Sequence, residues 1–242
     1  MMNRAWIVCT VFAVSLWCAD GMLGAATQAP SPVPPPLQQA PGHGESQGQY
    51  EFYGQHAVSI QALTSVGNDL VYAGSFGLGL FRSEDRGATW EKSGQGVTDP
   101  FILTLTTGKD GAVYAGTFRG GVFRSRDQGK TWQAINIGLK RLEIKAILAV
   151  GEGVYAGTSD GVYRLAAADR WSVVTAGLDD ILVHALALSS DGTLFAGTSG
   201  MGIVRFKAQS TGWARQQHGL KDHEGMTENF IRVLTIDPEG GI

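Results

Sequence analysis

Cysteine occurs only twice in the 242 residues, at Cys9 and Cys18, both within the first twenty positions. Beyond that start there is no thiol, which excludes disulfides, thiolate nucleophiles and cysteine-based metal sites from the rest of the chain. A basic excess is missing as well. Nineteen Lys and Arg stand against 22 Asp and Glu, a formal net charge of −3, whereas nucleic-acid binding normally needs a basic face. The five histidines show no ligand spacing, so neither a metal nor another cofactor is expected. Proline is scarce too, with six of its eight residues between positions 30 and 41. Ala5 to Cys18, an apolar run of 14 residues, is short of the ~20 that a membrane span takes.

That run is flanked as an export signal would be. Arg4 supplies the positive start and Leu23-Gly24-Ala25-Ala26 a small-residue cleavage site, so residues 1–26 are expected to be a signal peptide. Trp17 stands where a lipoprotein peptidase needs a small residue, which argues against a lipid anchor at Cys18. The expected protein is secreted or periplasmic, with no transmembrane span in the mature chain. Residues 27–48 are rich in Pro, Gln, Gly and Ser. They are too poor in branched apolar residues to offset ordering entropy and are expected to be a disordered linker.

Glycine is abundant: 34 residues, about twice the usual ~7% share. The glycines are not scattered. Tyr72-Ala73-Gly74-Ser75 recurs as Tyr114-Ala115-Gly116-Thr117, Tyr155-Ala156-Gly157-Thr158 and Phe195-Ala196-Gly197-Thr198, with glycine steps of 42, 41 and 40. Trp90, Trp132, Trp171 and Trp213 step by 42, 39 and 42, and Gly96, Gly138, Gly177 and Gly219 step identically. In the second copy the β-rich runs are Ile102–Thr107, Ala112–Thr117, Gly121–Ser125 and Thr131–Ile137, separated by glycine-bearing turns. These are strands A to D. Four antiparallel strands per ~40 residues, repeated, predict an all-β fold of β-propeller blades. The domain is expected over 49–242, with blades at 58–96, 101–138, 143–177 and 181–219. Tyr50 to Tyr53 read as a lone strand D (49–54), and 229–242 as the start of a fifth blade. Four blades in an open arc would leave two apolar faces bare, a loss of ~10 kcal/mol or more, comparable with a whole domain's stability of ~5–15 kcal/mol. The chain is therefore read as part of a ring of six to eight blades.

Ser83-Glu84-Asp85-Arg86-Gly87-Ala88-Thr89-Trp90 and Ser125-Arg126-Asp127-Gln128-Gly129-Lys130-Thr131-Trp132 both fit S-x-D-x-G-x-T-W. This resembles the Asp-box, or BNR, repeat of bacterial neuraminidases, sortilin-type receptors, xyloglucanases and photosystem II assembly-factor propellers. The third and fourth copies, at 166–171 and 207–213, keep only the tryptophan. The box has a structural explanation. Ser83, Asp85, Gly87 and Trp90, like Ser125, Asp127, Gly129 and Trp132, fall in the C–D turn. There the carboxylate accepts backbone N–H groups, the glycine permits positive φ and the tryptophan buries apolar area against the sheet. Arg82, Arg124, Arg164 and Arg205 share one position of strand C and read as stems packed along the sheet.

Alternating strand directions place A–B and C–D turns on one face and B–C and D–A turns on the other. Recognition concentrates on turns carried by a rigid scaffold, and the Asp-boxes lie on the face away from it. On the recognition face the copies differ at Phe76, Phe118, Arg119, Asp160, Asp179 and Asp180. The last D–A turn, from Gly219 to Ile231, is twice as long as the others and contains His223. The second position of strand A is Gln61, Leu103, Lys145, His184 and Arg232 in turn. Lys145, His184 and Arg232 are candidates for holding an anionic group at the channel mouth. The expected function is an exported non-catalytic binding module for a protein, peptide or glycan, with a sensor or assembly-factor propeller as the narrower version. The alternative is a glycoside hydrolase of Asp-box type. A sialidase-like site wants an Arg-Ile-Pro motif, which does not occur. A xyloglucanase-like site wants two facing carboxylates, and none of Asp160, Asp179 and Asp180 is marked as a pair by spacing.

Overall fold

The fold is read from a computed structural model, which describes residues 59–174, 177–207, 212–216 and 230–236. The expected signal peptide, the linker, the lone strand at 49–54, the long D–A insertion with His223, and residues 237–242 lie outside the described residues.

Among the described residues, sixteen strands form four separate antiparallel sheets, each of four strands in chain order. The first blade is β1 (Ile60–Val66), β2 (Leu70–Ser75), β3 (Gly79–Ser83) and β4 (Glu91–Ser93). The second is β5 (Ile102–Thr107), β6 (Val113–Thr117), β7 (Val122–Ser125) and β8 (Gln133–Ala134). The third is β9 (Ile144–Val150), β10 (Gly153–Thr158), β11 (Gly161–Ala166) and β12 (Arg170–Val173). The fourth is β13 (Val183–Leu188), β14 (Leu194–Thr198), β15 (Ile203–Phe206) and β16 (Ala214–Gln216). The first strands β1, β5, β9 and β13 neighbour one another from blade to blade. They are the inner strands.

The blades face one another, so the second strand of a blade is covered on both sides. β6 and β14 are buried at every residue, which is why they read as continuous runs of small and apolar residues and not as an alternation. The cores lie between blades. Tyr72 and Leu80 of the first blade pack with Ile102, Leu105 and Trp132 of the second, and Val122 and Tyr114 pack with Ile144, Ile147 and Trp171 of the third. A third cluster joins Val162 to Val183, Leu186 and Val204. Spacing in this seam is set by the Ala-Gly pair. A Cβ on Gly116 would stand 2.7 Å from Ile144 Cγ2, one on Gly157 would stand 2.8 Å from Val183 Cγ1, and one on Gly197 would stand 2.7 Å from Ile231 Cγ2. From the second blade on, the first apolar residue of strand A thus sits on the glycine of the blade before it, and Ile231 sits in the same way on Gly197 of the fourth.

Two expectations need correction. Strand D of the second blade is two residues long, not the seven of 131–137. Asn136 turns inward instead, accepting from Val122 N–H at 2.8 Å and donating to Gly120 C=O at 2.8 Å, so a side chain replaces the ladder. The other concerns the tryptophans, which pack against the preceding blade. Trp132 meets Tyr72 edge-on at 6.4 Å and is 5% exposed, while Trp90, with no earlier blade among the described residues, is 43% exposed.

Candidate functional site

A β-bulge opens strand A in all four blades. Pairing with the second strand skips Gln61, Leu103, Lys145 and His184, one residue in each blade. A bulge leaves one residue outside the ladder and re-aims its side chain. The second position of strand A, the one that varied most among the copies, is this extra residue. Lys145 lies with its Nζ 2.8 Å from Glu143 Oε1 and 5.5 Å from the centroid of the Phe118 ring. His184 Nε2 is 2.6 Å from Ser199 Oγ in the B–C turn of its own blade. Burial first, and then the charges of Lys145 and Arg232, hold the His184 pKa below its ordinary value, with Glu143 opposing them. Arg232 is exposed and follows Ile231, whose N–H donates to Thr198 C=O at 3.1 Å.

The B–C turns bring aromatic rings to the same face. Phe76 lies 4.8 Å from Phe101 and 6.4 Å from Phe118, centroid to centroid. Phe118 has the Arg119 guanidinium 5.0 Å from its ring centroid, so two cations flank one ring. Phe76 is 47% exposed. The Phe118–Arg119 turn is firmly held. Buried Asp99 accepts N–H bonds from Phe101 at 3.1 Å, Arg119 at 2.5 Å and Gly120 at 2.9 Å, and Gly121 N–H donates to Leu142 C=O of the next blade at 3.0 Å. Asp99 stands in a D–A turn of this face, and its sequence context does not mark it as an anchor. Phe101 and Ser199 are not among the residues the sequence singles out, although Pro100-Phe101 and Phe230 stand at the same entry to strand A.

The remaining candidates are placed differently. Asp160 accepts from the Thr158 hydroxyl at 2.8 Å and the Tyr163 phenol at 3.0 Å. Burial and then this bond push the Tyr163 pKa up to about 12. Asp179 accepts from Gly177 N–H at 3.4 Å, and Asp179 and Asp180 are both exposed.

No family model matches the chain, and no curated protein matches it. Solved structures do. The extracellular domain of BT4673 from B. thetaiotaomicron superposes with a TM-score of 0.63 at 19% identity, over 75% of this chain and 25% of that one. YCF48 from Cyanidioschyzon merolae gives 0.55 at 15% identity, over 67% and 57%. A structure of YCF48 bound to D1 peptide gives 0.59 at 15%, over 76% and 59%. The chain therefore spans a quarter to three fifths of the length of these structures.

The fold is a β-propeller.

On the opposite face of the propeller the two Asp-boxes repeat bond for bond. Ser83 Oγ donates to Asp85 Oδ1 at 2.7 Å and accepts from Gly87 N–H at 2.7 Å, while Thr89 donates to Asp85 through its N–H at 2.8 Å and its hydroxyl at 2.6 Å. Ser125, Asp127, Gly129 and Thr131 do the same. The Thr hydroxyl bond leads the causes that bring Asp85 and Asp127 down to about 2. Gly87 and Gly129 adopt φ of 92° and 79°, and Trp90 and Trp132 donate to their carbonyls at 3.0 and 3.2 Å. All of these groups are used within the turn. Two of the four strand C arginines reach the next blade: Arg82 donates to Gln128 C=O at 2.8 Å, and Arg124 makes a paired contact with Asp169 of the degraded third box, while Arg164 and Arg205 are exposed.

Proposed function

We propose that this chain is part of an exported, non-catalytic propeller that binds a peptide segment of a partner on the face formed by B–C and D–A turns. One observation carries the reading: the Phe76–Phe101–Phe118 shelf, partly exposed and flanked by Arg119 and Lys145, on a turn fixed by Asp99. Rigid aromatic rings offer a peptide large contact area at low entropic cost, and placing them on a pinned turn limits the ordering that binding requires. The Asp-box residues support the same division of labour, because their polar groups are already satisfied. The YCF48 structure with D1 peptide shows a propeller of similar fold holding a peptide, and the BT4673 domain is extracellular. For this chain, both peptide binding and export are our reading.

The test is panning a random peptide display library on the full chain, with a glycan array run in parallel. Peptides should be enriched, and Phe76→Ala or Phe118→Ala should weaken their binding about 10-fold or more, as loss of a central aromatic anchor does. Arg126→Gln, in an Asp-box turn, should leave it unchanged. Enrichment indifferent to Phe76 and Phe118, or binding of glycans alone, would overturn the proposal.

A further inference from the structure

The bulge residues of the third and fourth blades and their equivalent beyond them are not a scattered set. β9 and β13 are neighbouring inner strands, and each carries its bulge at its second residue, so Lys145 and His184 hold equivalent positions on adjacent strands, near enough for the Lys145 charge to act on the imidazole. Ile231 sits on Gly197 as Val183 sits on Gly157, so Arg232 continues the row one step further. Two other observations describe the space these residues line. His184 is oriented by Ser199 Oγ, 2.6 Å from its Nε2, and Ser199 itself bridges to Phe230. Lys145 is shared between the Glu143 carboxylate and the face of Phe118, which joins the row to the aromatic shelf. The sum of charge is informative. Among the described groups that act on His184, Lys145 and Arg232 contribute two positive charges, Glu143 removes one, and a neutral His184 adds a hydrogen-bonding nitrogen. One net positive charge matches a monoanion better than a phosphate dianion.

We infer that Lys145, His184 and Arg232, with the Ser199 hydroxyl, form a subsite for a carboxylate carried by the bound peptide. This rests on the binding reading above and adds the chemical class that the shelf alone does not specify. An aromatic or apolar side chain lies on Phe76 and Phe118, and a carboxylate beside it reaches the row. Among the described residues, the groups facing His184 are Lys145, Arg232, Glu143 and Ser199. Protonation of the imidazole adds a third cation, so carboxylate binding strengthens as the pH falls below the ordinary histidine value of ~6.5.

The experiment uses the full chain and two probes, acetyl-Phe-Asp-amide and its neutral isostere acetyl-Phe-Asn-amide, followed by NMR of the His184 ring and by titration calorimetry. The acid should bind about 10-fold more tightly than the amide, as a charge-assisted contact does over a neutral one. That preference should grow between pH 7 and pH 5.5. Lys145→Gln and Arg232→Gln should each reduce it about 3- to 10-fold, within the range for partly exposed ion pairs and charged hydrogen bonds. Arg126→Gln, whose side chain lies in the opposite face's box turn, should leave it intact and so excludes a general charge effect. Equal affinity for the two probes, or no saturable binding of the acid, overturns the subsite. Inorganic sulfate, which keeps its two charges across this range, is the competing arm; if it displaces the acid probe more strongly than added acetate does, the assignment to carboxylate is wrong. Equal binding of both probes that Phe118→Ala abolishes would leave the shelf reading standing while the subsite fell. Acid-selective binding indifferent to Phe118→Ala would do the reverse.

Discussion

Adding one methyl group at Gly116 should separate neighbouring blades. The residue lies in β6 with its α-carbon against strand A of the third blade, and a Cβ there would stand 2.6 Å from Thr104 Cγ2 and 2.7 Å from Ile144 Cγ2. Both obstructing atoms are β-branch methyls fixed close to backbone, so neither can swing aside as the end of a long side chain would. Overpacking of this kind costs ~1–3 kcal/mol, and the lower entropy of the unfolded alanine chain returns ~0.4–1 kcal/mol. Gly116→Ala should therefore lose about 1–2 kcal/mol. Ile144→Ala alone should lose ~2–5 kcal/mol through the cavity it leaves. In the double variant the new Cβ occupies part of that cavity, so the loss should fall short of the sum by ~0.5 kcal/mol or more. Guanidinium denaturation followed by tryptophan fluorescence measures all three. Wild-type stability for Gly116→Ala, or strict additivity in the double variant, would refute the idea that this glycine sets the spacing between blades.

Two further outcomes are expected. Trp132→Ala, which empties the seam beside Tyr72, should cost ~3–5 kcal/mol, and Trp90→Ala, at a half-exposed position, ~1 kcal/mol or less, by the smaller area it removes; equal losses in denaturation midpoints would contradict the packing described. The Thr89 and Thr131 hydroxyl bonds bring the carboxyls of Asp85 and Asp127 down to about 2 in the folded chain, against ~3.9 when unfolded. Their depressed values stabilise the fold fully above the unfolded value, and that contribution is lost as the pH falls from ~4 toward 2. Acid titration of the denaturation midpoint should slope through that window, and Asp85→Asn with Asp127→Asn should make it shallower, the remainder coming from Asp169 and Asp191, which are also lowered; an unchanged slope would show that the boxes do not carry the effect.

The architecture was legible because a repeat multiplies weak signals. Gly96 and Gly138 recur in step with the tryptophans for a reason visible only in three dimensions. Their φ values are 98° and 95°, and each lies against the backbone of the next blade's tryptophan, Trp132 or Trp171, whose N–H donates to the residue before the glycine. The two faces followed from strand direction alone. The site was less legible. Lys145, His184 and Arg232 form a varying column in the sequence, but the bulge that turns Lys145 and His184 out of the ladder is a matter of register, which residue identity does not reveal. The anchoring role of Asp99 is equally hidden in sequence: three N–H groups of the second blade, those of Phe101, Arg119 and Gly120, converge on it from up to 21 residues away. Trp90 looked identical to Trp132 because the motif records the turn, while burial depends on the blade before it.

The most direct measurement of the central claim is a hydrogen-exchange footprint of the full chain with a library-selected peptide bound. The B–C turns at 76–79 and 118–121 and the strand A entries at 101–104, 143–146 and 183–185 should gain protection, while the Asp-box turns at 83–90 and 125–132 should stay unchanged. Protection centred on the Asp-box turns, with the Phe76–Phe118 face unaltered, would contradict the account.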